Sequence, residues 1–290
     1  MFTPWARFFT PEAKILLQQA IDLALSEDGP ELTAQALFTP EAAMCAVIRA
    51  KEDTLVIGLP MIGAVLKRLG APYQWQALVP EGSRVQPMAE VARIHAPSVQ
   101  LLKAERVILN FITHLSGIAN LTSCYVKALE GTGVRLLDTR KTLPGLRWPE
   151  KYAVQAGGGA NHRKNLAEML MLKDNHIDAA GSISKAVARL RTIYIPCPPI
   201  EVECRTLDHV REAVAMKVSR IMMDNMSGQA LGQALALVPP EIETEVSGGV
   251  TLETIRDIAL TEPRKPDFIS VGRLTHSAGA ADFSMLLRTI

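Results

Sequence analysis

The chain has 290 residues, 48% hydrophobic and 21% charged, with 31 Lys and Arg against 30 Asp and Glu. That length allows one large domain or two ordinary ones, and the composition excludes wholesale disorder. A net charge of +1 and 5% aromatics argue against nucleic-acid or membrane binding through bulk charge or base stacking.

Residues 1–7 lack a charged start followed by an apolar core, so no export signal is expected. Residues 11–25 read as a helix, with Ile15, Leu16, Ala20, Leu23 and Ala24 at helical spacing. Residues 43–50 and 54–58 read as strands joined by a charged turn, and 60–69 as a helix ending at Gly70. Strands follow at 73–79 and 89–95, which makes the first 96 residues an α+β unit on a mostly antiparallel sheet. After Pro97, Ser98 can cap a helix whose apolar positions include Leu101, Val107, Ile108, Phe111 and Leu115. A second helical stretch covers 117–130.

Beyond residue 133 short apolar runs recur at 134–137, 169–172, 200–202, 220–223, 242–246 and 268–271. Helix-like segments at 184–192, 206–217, 228–237 and 251–260 separate them. This rhythm indicates parallel βα units, in either an open sheet or a closed barrel. No GxGxxG follows the first strand. The strands end in Asp138-Thr139-Arg140-Lys141, Lys173-Asp174-Asn175-His176, Glu203, Asp224-Asn225, Ser247-Gly248-Gly249 and Gly272-Arg273. In an α/β barrel those ends share one face, where active sites are built.

Between 135 and 173 there are eight basic residues against three acids. Arg140, Lys141 and Lys173 at strand ends suit a small polyanion. Glu203 and Asp224 can hold Mg²⁺, meet ribose hydroxyls or pair with these bases. Ser247-Gly248-Gly249 and Val271-Gly272 are either phosphate loops leading into helix N-termini or tight turns that need glycine. The four cysteines, Cys45, Cys124, Cys197 and Cys204, show no zinc spacing and suit a reducing compartment. No apolar run approaches the ~20 residues that span a bilayer, so a cytoplasmic protein is expected.

The motifs LLDTRKTLPGLR at 136–147, EKYAVQAGGGANHR at 150–163, LKDNHI at 172–177 and IEVEC at 200–204 closely resemble the quinolinate phosphoribosyltransferase family. So do MMDNMS at 222–227, VSGGVTLE at 246–253, ISVGRLTHSA at 269–278 and the helical stretch 105–119. The resemblance implies an α/β fold of the type II phosphoribosyltransferase kind: an N-terminal α/β sandwich over 1–114, rejoined by the tail 275–290, and an incomplete, roughly seven-stranded barrel over 115–274. It implies transfer of phosphoribose from phosphoribosyl pyrophosphate to quinolinate with loss of CO₂, giving nicotinate mononucleotide for NAD biosynthesis. It further implies Mg²⁺ and a homodimer, or a multiple of dimers, with shared active sites. Arg140, His162, Arg163 and Lys173 would surround the quinolinate carboxylates, with Arg106 reaching in from the neighbouring subunit. Thr139 and Lys141 would line the same pocket toward the pyrophosphate. Glu203 and Asp224 would contact ribose and metal, and Ser247, Gly248, Gly249, Val271 and Gly272 would cradle the 5′-phosphate. Lys141, Lys173, Glu203 and Asp224 are the catalytic candidates. Trp148-Pro149, Lys164-Asn165 and Arg273 depart from the family's pattern. A Schiff-base aldolase using Lys173 and a non-catalytic binder of phosphorylated ligands are the competing readings.

Overall fold

The computed structural model describes residues 4–289. Residues 1–3, where the segment read for an export signal begins, and residue 290, the end of the tail, lie outside it. The chain forms two compact units, Met1–Ser123 with Thr142–Gly158 and Arg273–Ile290, and Cys124–Lys141 with Gly159–Gly272.

In the first unit the elements run α1 (Trp5–Phe8), α2 (Pro11–Glu27), α3 (Leu32–Leu37), β1 (Ala43–Ala50), β2 (Thr54–Leu55), α4 (Pro60–Arg68), β3 (Gln74–Ala77), β4 (Arg84–Val85), β5 (Glu90–Pro97) and α5 (Ser98–Ala128). Thr10 caps α2 by accepting the Ala13 amide, and Pro11 opens its first turn. The helix lies where its periodicity predicts, yet it buries Ala13, Leu17, Ile21 and Leu25 and exposes Ile15 and Leu23. Apolar residues cover more than one face of this segment, so the pattern defines the helix and not its orientation. The strand read at 54–58 shortens to β2, which pairs with β4 and not with β1. The chain then leaves the sheet: Ile57 donates its amide to Ser116 Oγ, and Gly58 and Leu59 donate theirs to the Glu81 carboxylate at 2.7 and 3.0 Å.

A single helix, α5, stands where two were expected. Gly117 does not break it. A Cβ there would lie 1.9 Å from the Gly279 carbonyl, so glycine serves a close backbone approach. Ser98 does not cap it either, because its Oγ is buried without a hydrogen-bond partner. Among the described helices α5 alone is long and apolar enough to cross a membrane, and 61% of its apolar window is buried, as in a core helix.

The chain continues as β6 (Arg135–Leu137), α6 (Arg147–Ala156), β7 (Leu170–Leu172), α7 (Asp174–Ala180), α8 (Ile183–Ile193), β8 (Ile200–Cys204), α9 (Leu207–Ala215), β9 (Arg220–Asp224), α10 (Gly228–Leu237), β10 (Glu243–Ser247), α11 (Ile255–Ala259), β11 (Phe268–Ser270), α12 (Arg273–His276) and β12 (Phe283–Thr289). The first unit gains α6, α12 and β12, and β12 completes the antiparallel sheet β12-β1-β5-β3. Trp148, partly buried, packs on this unit's aromatic cluster, with its ring 5.9 Å from that of Phe8.

In the second unit β6-β11-β10-β9-β8-β7 form one parallel sheet, the incomplete barrel that the resemblance implies. It has six strands where about seven were expected. In the seventh place beyond β6 stands one parallel bridge, Leu137 to Ala160. Every residue of β8 is buried, as in a strand covered on both faces. Ser182 and Thr206 cap α8 and α9.

Candidate active site

The carboxyl ends of the parallel strands enclose a cleft of about 330 Å³. Thr139, Arg140 and Lys141 reach it from the end of β6, and His162 and Arg163 from the loop after Ala160. Lys173, Glu203, Asp224 and Ser247 reach it from the ends of β7, β8, β9 and β10. One strand-end surface thus brings together nine of the residues picked out from the sequence. Met171, Met222, Glu245 and Ser270 also line the cleft and were not picked out. Alternation was the available signal: Glu245 lies two residues before Ser247, and Glu201 two before Glu203, so each pair shares a strand face.

Buried Asp138 shapes the basic side. Its Oδ1 accepts the His162 amide at 2.8 Å, its Oδ2 accepts Asn161 Nδ2 at 2.7 Å, and its own amide donates to Ala160. Thr139 Oγ1 accepts the Lys141 amide, which turns the chain sharply. Arg140 Nε is buried with no hydrogen-bond partner, a donor available for an acid. The Arg163 guanidinium is tethered to the Met169 carbonyl at 2.9 Å. Burial and the neighbouring Arg140 pull its pKa below the usual value. Lys173 forms an ion pair with Glu203. Its amide donates to His176 Nδ1, so the histidine of LKDNH caps α7 and is exposed.

The acidic side is held by Arg205, which lies 2.9 Å from Asp174, 3.4 Å from Glu203 and 3.5 Å from Asp224. Asp174 above all holds the Arg205 pKa above its usual value. Two carboxylates on adjacent strand ends are the hard oxygen donors that Mg²⁺ takes together with phosphates and waters. Glu203 and Asp224 fit that role, on condition that the ion shares them with Arg205. A second cluster, His162, Glu201 and Glu245, has ligand atoms within 4.8 Å of one another, but Arg220 already lies 3.2 Å from Glu245. Burial pushes Glu201 up to about 7. Burial and then the Glu201 charge push Glu245 up to about 8.

After β10 the chain turns through Gly248 (φ +95°) and Gly249 (φ +62°). A Cβ on Gly248 would lie 2.2 Å from Asn225 Oδ1, so this loop excludes side chains and exposes backbone. The helices expected to aim dipoles here, α11 and α12, have only five and four residues. Backbone amides therefore count for more than helix dipoles. The Val271 amide is committed to the Leu137 carbonyl at 3.0 Å. Val271 is buried, Gly272 is partly exposed, and neither belongs to the cleft lining, nor do Gly248 and Gly249. Arg106 is exposed on α5 and is not among the lining residues.

Comparisons with known proteins agree with this geometry. The family profile described as quinolinate phosphoribosyl transferase, C-terminal domain, matches residues 118–286, and that of the N-terminal domain matches residues 31–116. The chain belongs to the quinolinate phosphoribosyltransferase family. It is 39% identical over 255 residues to a probable nicotinate-nucleotide pyrophosphorylase (carboxylating) of Bacillus subtilis, covering 88% of this chain and 87% of that protein. It is 35% identical over 278 residues to the human nicotinate-nucleotide pyrophosphorylase (carboxylating), covering 94% and 92%. The crystal structure of NadC from Streptococcus pyogenes superposes with a TM-score of 0.87 at 38% identity, covering 95% of this chain and 98% of that one.

Proposed function

We propose that this chain is a pentosyltransferase that joins quinolinate to phosphoribosyl pyrophosphate and releases pyrophosphate and CO₂, giving nicotinate mononucleotide for NAD biosynthesis. One observation carries the reading: a single cleft sets Arg140, Arg163 and Lys173 beside the acids Glu203 and Asp224, with Ser247, the residue that leads into the glycine loop, in its lining. A dicarboxylate suits the cations, sugar hydroxyls suit the acids, and a phosphate suits exposed amides.

Arg140 and Arg163 hold the two carboxylates and aim the pyridine nitrogen at the sugar. Glu203 and Asp224 contact the ribose and stabilise positive charge that develops on it as pyrophosphate leaves. Mg²⁺ shared by Glu203 and Asp224 would supply neutralisation of the diphosphate. Thr139 and Lys141, the latter exposed at the rim, face the leaving diphosphate. Once the ring nitrogen carries the sugar it is cationic, and its charge stabilises the electron pair that stays on the adjacent ring carbon when CO₂ departs, until that carbon takes up a proton from solvent. Positioning supplies much of the acceleration, roughly 7–11 kcal/mol for well-aligned bound partners. A Schiff-base role for Lys173 is disfavoured by its engagement with Glu203 and its 44% side-chain exposure, since such a lysine needs an unpaired amine in a dry pocket.

The reading extends to a homodimer in which Arg106 of the partner subunit completes the carboxylate pocket; exposure of Arg106 supports this. It also places the enzyme in the cytoplasm, in keeping with four free cysteines. The test is consumption of quinolinate with phosphoribosyl pyrophosphate and Mg²⁺, with nicotinic acid as the parallel substrate and Lys173→Ala as the control. Turnover of quinolinate alone, lost in the variant, supports the proposal. No turnover by the wild type refutes it.

A further inference from the structure

His162 lines the cleft, yet both of its ring nitrogens face protein. Nδ1 accepts the Arg163 amide at 2.7 Å. A nitrogen that accepts has no hydrogen of its own, so in the neutral ring the hydrogen sits on Nε2. Nε2 lies 3.0 Å from Glu201 Oε2 and 3.6 Å from Glu245 Oε2. Both glutamates are fully buried on the barrel interior. Glu245 is anchored in turn by Arg220, which lies 3.2 Å away with its guanidinium 4.2 Å above the Phe268 ring. A chain of contacts therefore runs from β11 and β9 through Glu245, Glu201 and the His162 ring to the backbone of Arg163. The far end of Arg163 is tied to the Met169 carbonyl.

We propose that His162 is not a hydrogen-bonding ligand of the substrate but a positioning residue, which Glu201 and Glu245 hold in place and which sets where the Arg163 guanidinium meets a substrate carboxylate. The proposal rests on the reading of the cleft as a quinolinate site. Asn at position 162 can place an acceptor where Nδ1 stands; Gln reaches only the Nε2 position.

The first test is nitrogen-15 NMR of the histidine rings in the wild-type enzyme. The expected His162 signature is a protonated Nε2 and a bare Nδ1, unchanged when quinolinate saturates the site. Movement of either ring signal to a new protonation state on quinolinate binding overturns the proposal. The second test is kinetic. His162→Gln and Glu245→Leu should raise KM for quinolinate about 10–100-fold, the range for a misplaced positioning group. The kcat and the KM for phosphoribosyl pyrophosphate should shift less than about threefold, a split that general destabilisation does not give. His162→Asn, and Glu245→Gln, which keeps an oxygen toward Arg220, should recover most of the loss. Glu245→Leu should cost nothing further in an Arg163→Ala background. Equal damage from His162→Asn and His162→Gln, or additive losses in the double variant, overturns the proposal. A wild type with the stated ring signature but no turnover refutes the quinolinate reading and leaves the ring placement standing.

Discussion

Asp138→Asn is the sharpest test of how the basic pocket is built. The side chain is buried, and its two oxygens hold the His162 amide at 2.8 Å and Asn161 Nδ2 at 2.7 Å. Asparagine keeps the volume but turns one acceptor oxygen into a donor. The cheaper arrangement leaves Oδ1 on the His162 amide and turns the Asn161 amide over. Two hydrogen bonds to a charged acceptor then become neutral ones, and each loses about 1 kcal/mol. If Asn161 stays as it is, donor faces donor, and the cost rises to about 4 kcal/mol. Both routes loosen the segment that presents Arg163. Calorimetry should show Tm lowered by about 4–8 °C on the cheaper route and about 8–16 °C on the other, at about 2–4 °C per kcal/mol. KM for quinolinate should rise more than KM for the sugar donor. Stability unchanged within about 0.5 kcal/mol, with both KM values intact, would refute the argument that Asp138 fixes this loop.

Three further outcomes follow from particular contacts. Arg205→Met removes the cation shared by Asp174, Glu203 and Asp224, so Mn²⁺ binding read by EPR should tighten, up to about fivefold for exposed charges; weaker binding would show that Arg205 does not compete with the ion. Gly248→Ala forces a Cβ into Asn225 at a φ of +95°, which strains the loop by about 1–3 kcal/mol. KM for phosphoribosyl pyrophosphate should rise and that for quinolinate hold; equal changes would remove the loop from the phosphate site. Glu81 is pushed up to about 7 by burial, against its backbone and Tyr152 hydrogen bonds. A carboxyl raised on folding binds more protons folded than unfolded, so its contribution falls as pH rises from about 4.5 to about 7. Glu81→Gln should therefore gain on wild type by about 3 kcal/mol across that window, and a stability difference independent of pH would contradict the burial argument.

Sequence periodicity was informative wherever burial is one-sided or complete. The six apolar runs after residue 133 became β6 to β11, because parallel strands covered on both faces keep mostly buried aliphatic side chains, with Glu201 and Glu245 as interruptions. Helix orientation was less legible: α2 turned its Ala13–Leu17–Ile21–Leu25 stripe inward and left Ile15 and Leu23 out. The helical stretches read before and after residue 117 are one helix, and only the nearby Gly279 carbonyl explains the glycine in its interior. Site residues were legible where polar groups ended strands, as with Lys173, Glu203 and Asp224. Glu201 and Glu245 were missed because they lie inside strands, and their spacing of two from Glu203 and Ser247 marks them only when strand alternation is followed back from the strand ends. The resemblance put Val271 at the phosphate, but its amide is bonded to the Leu137 carbonyl, a partner over a hundred residues away that no local pattern shows.

The charge pattern of the cleft follows from where the barrel is left open. In the order β6-β11-β10-β9-β8-β7 the edges are β6 and β7, and these two carry Arg140, Lys141 and Lys173 at their ends. The middle strands carry the acids and the glycine loop. Between the edges runs no strand but the irregular segment after Gly159. It is pinned to β6 by the Leu137–Ala160 bridge and by Asp138, and toward β7 by Arg163 on Met169. A regular strand there would commit its backbone to both neighbours and turn alternate side chains outward. The irregular segment can instead turn consecutive residues, His162 and Arg163, toward the same cleft. The missing strand thus makes room for the basic pocket, and Asp138, through its hydrogen bonds to His162 and Asn161, fixes the segment as ladder hydrogen bonds do elsewhere in the sheet.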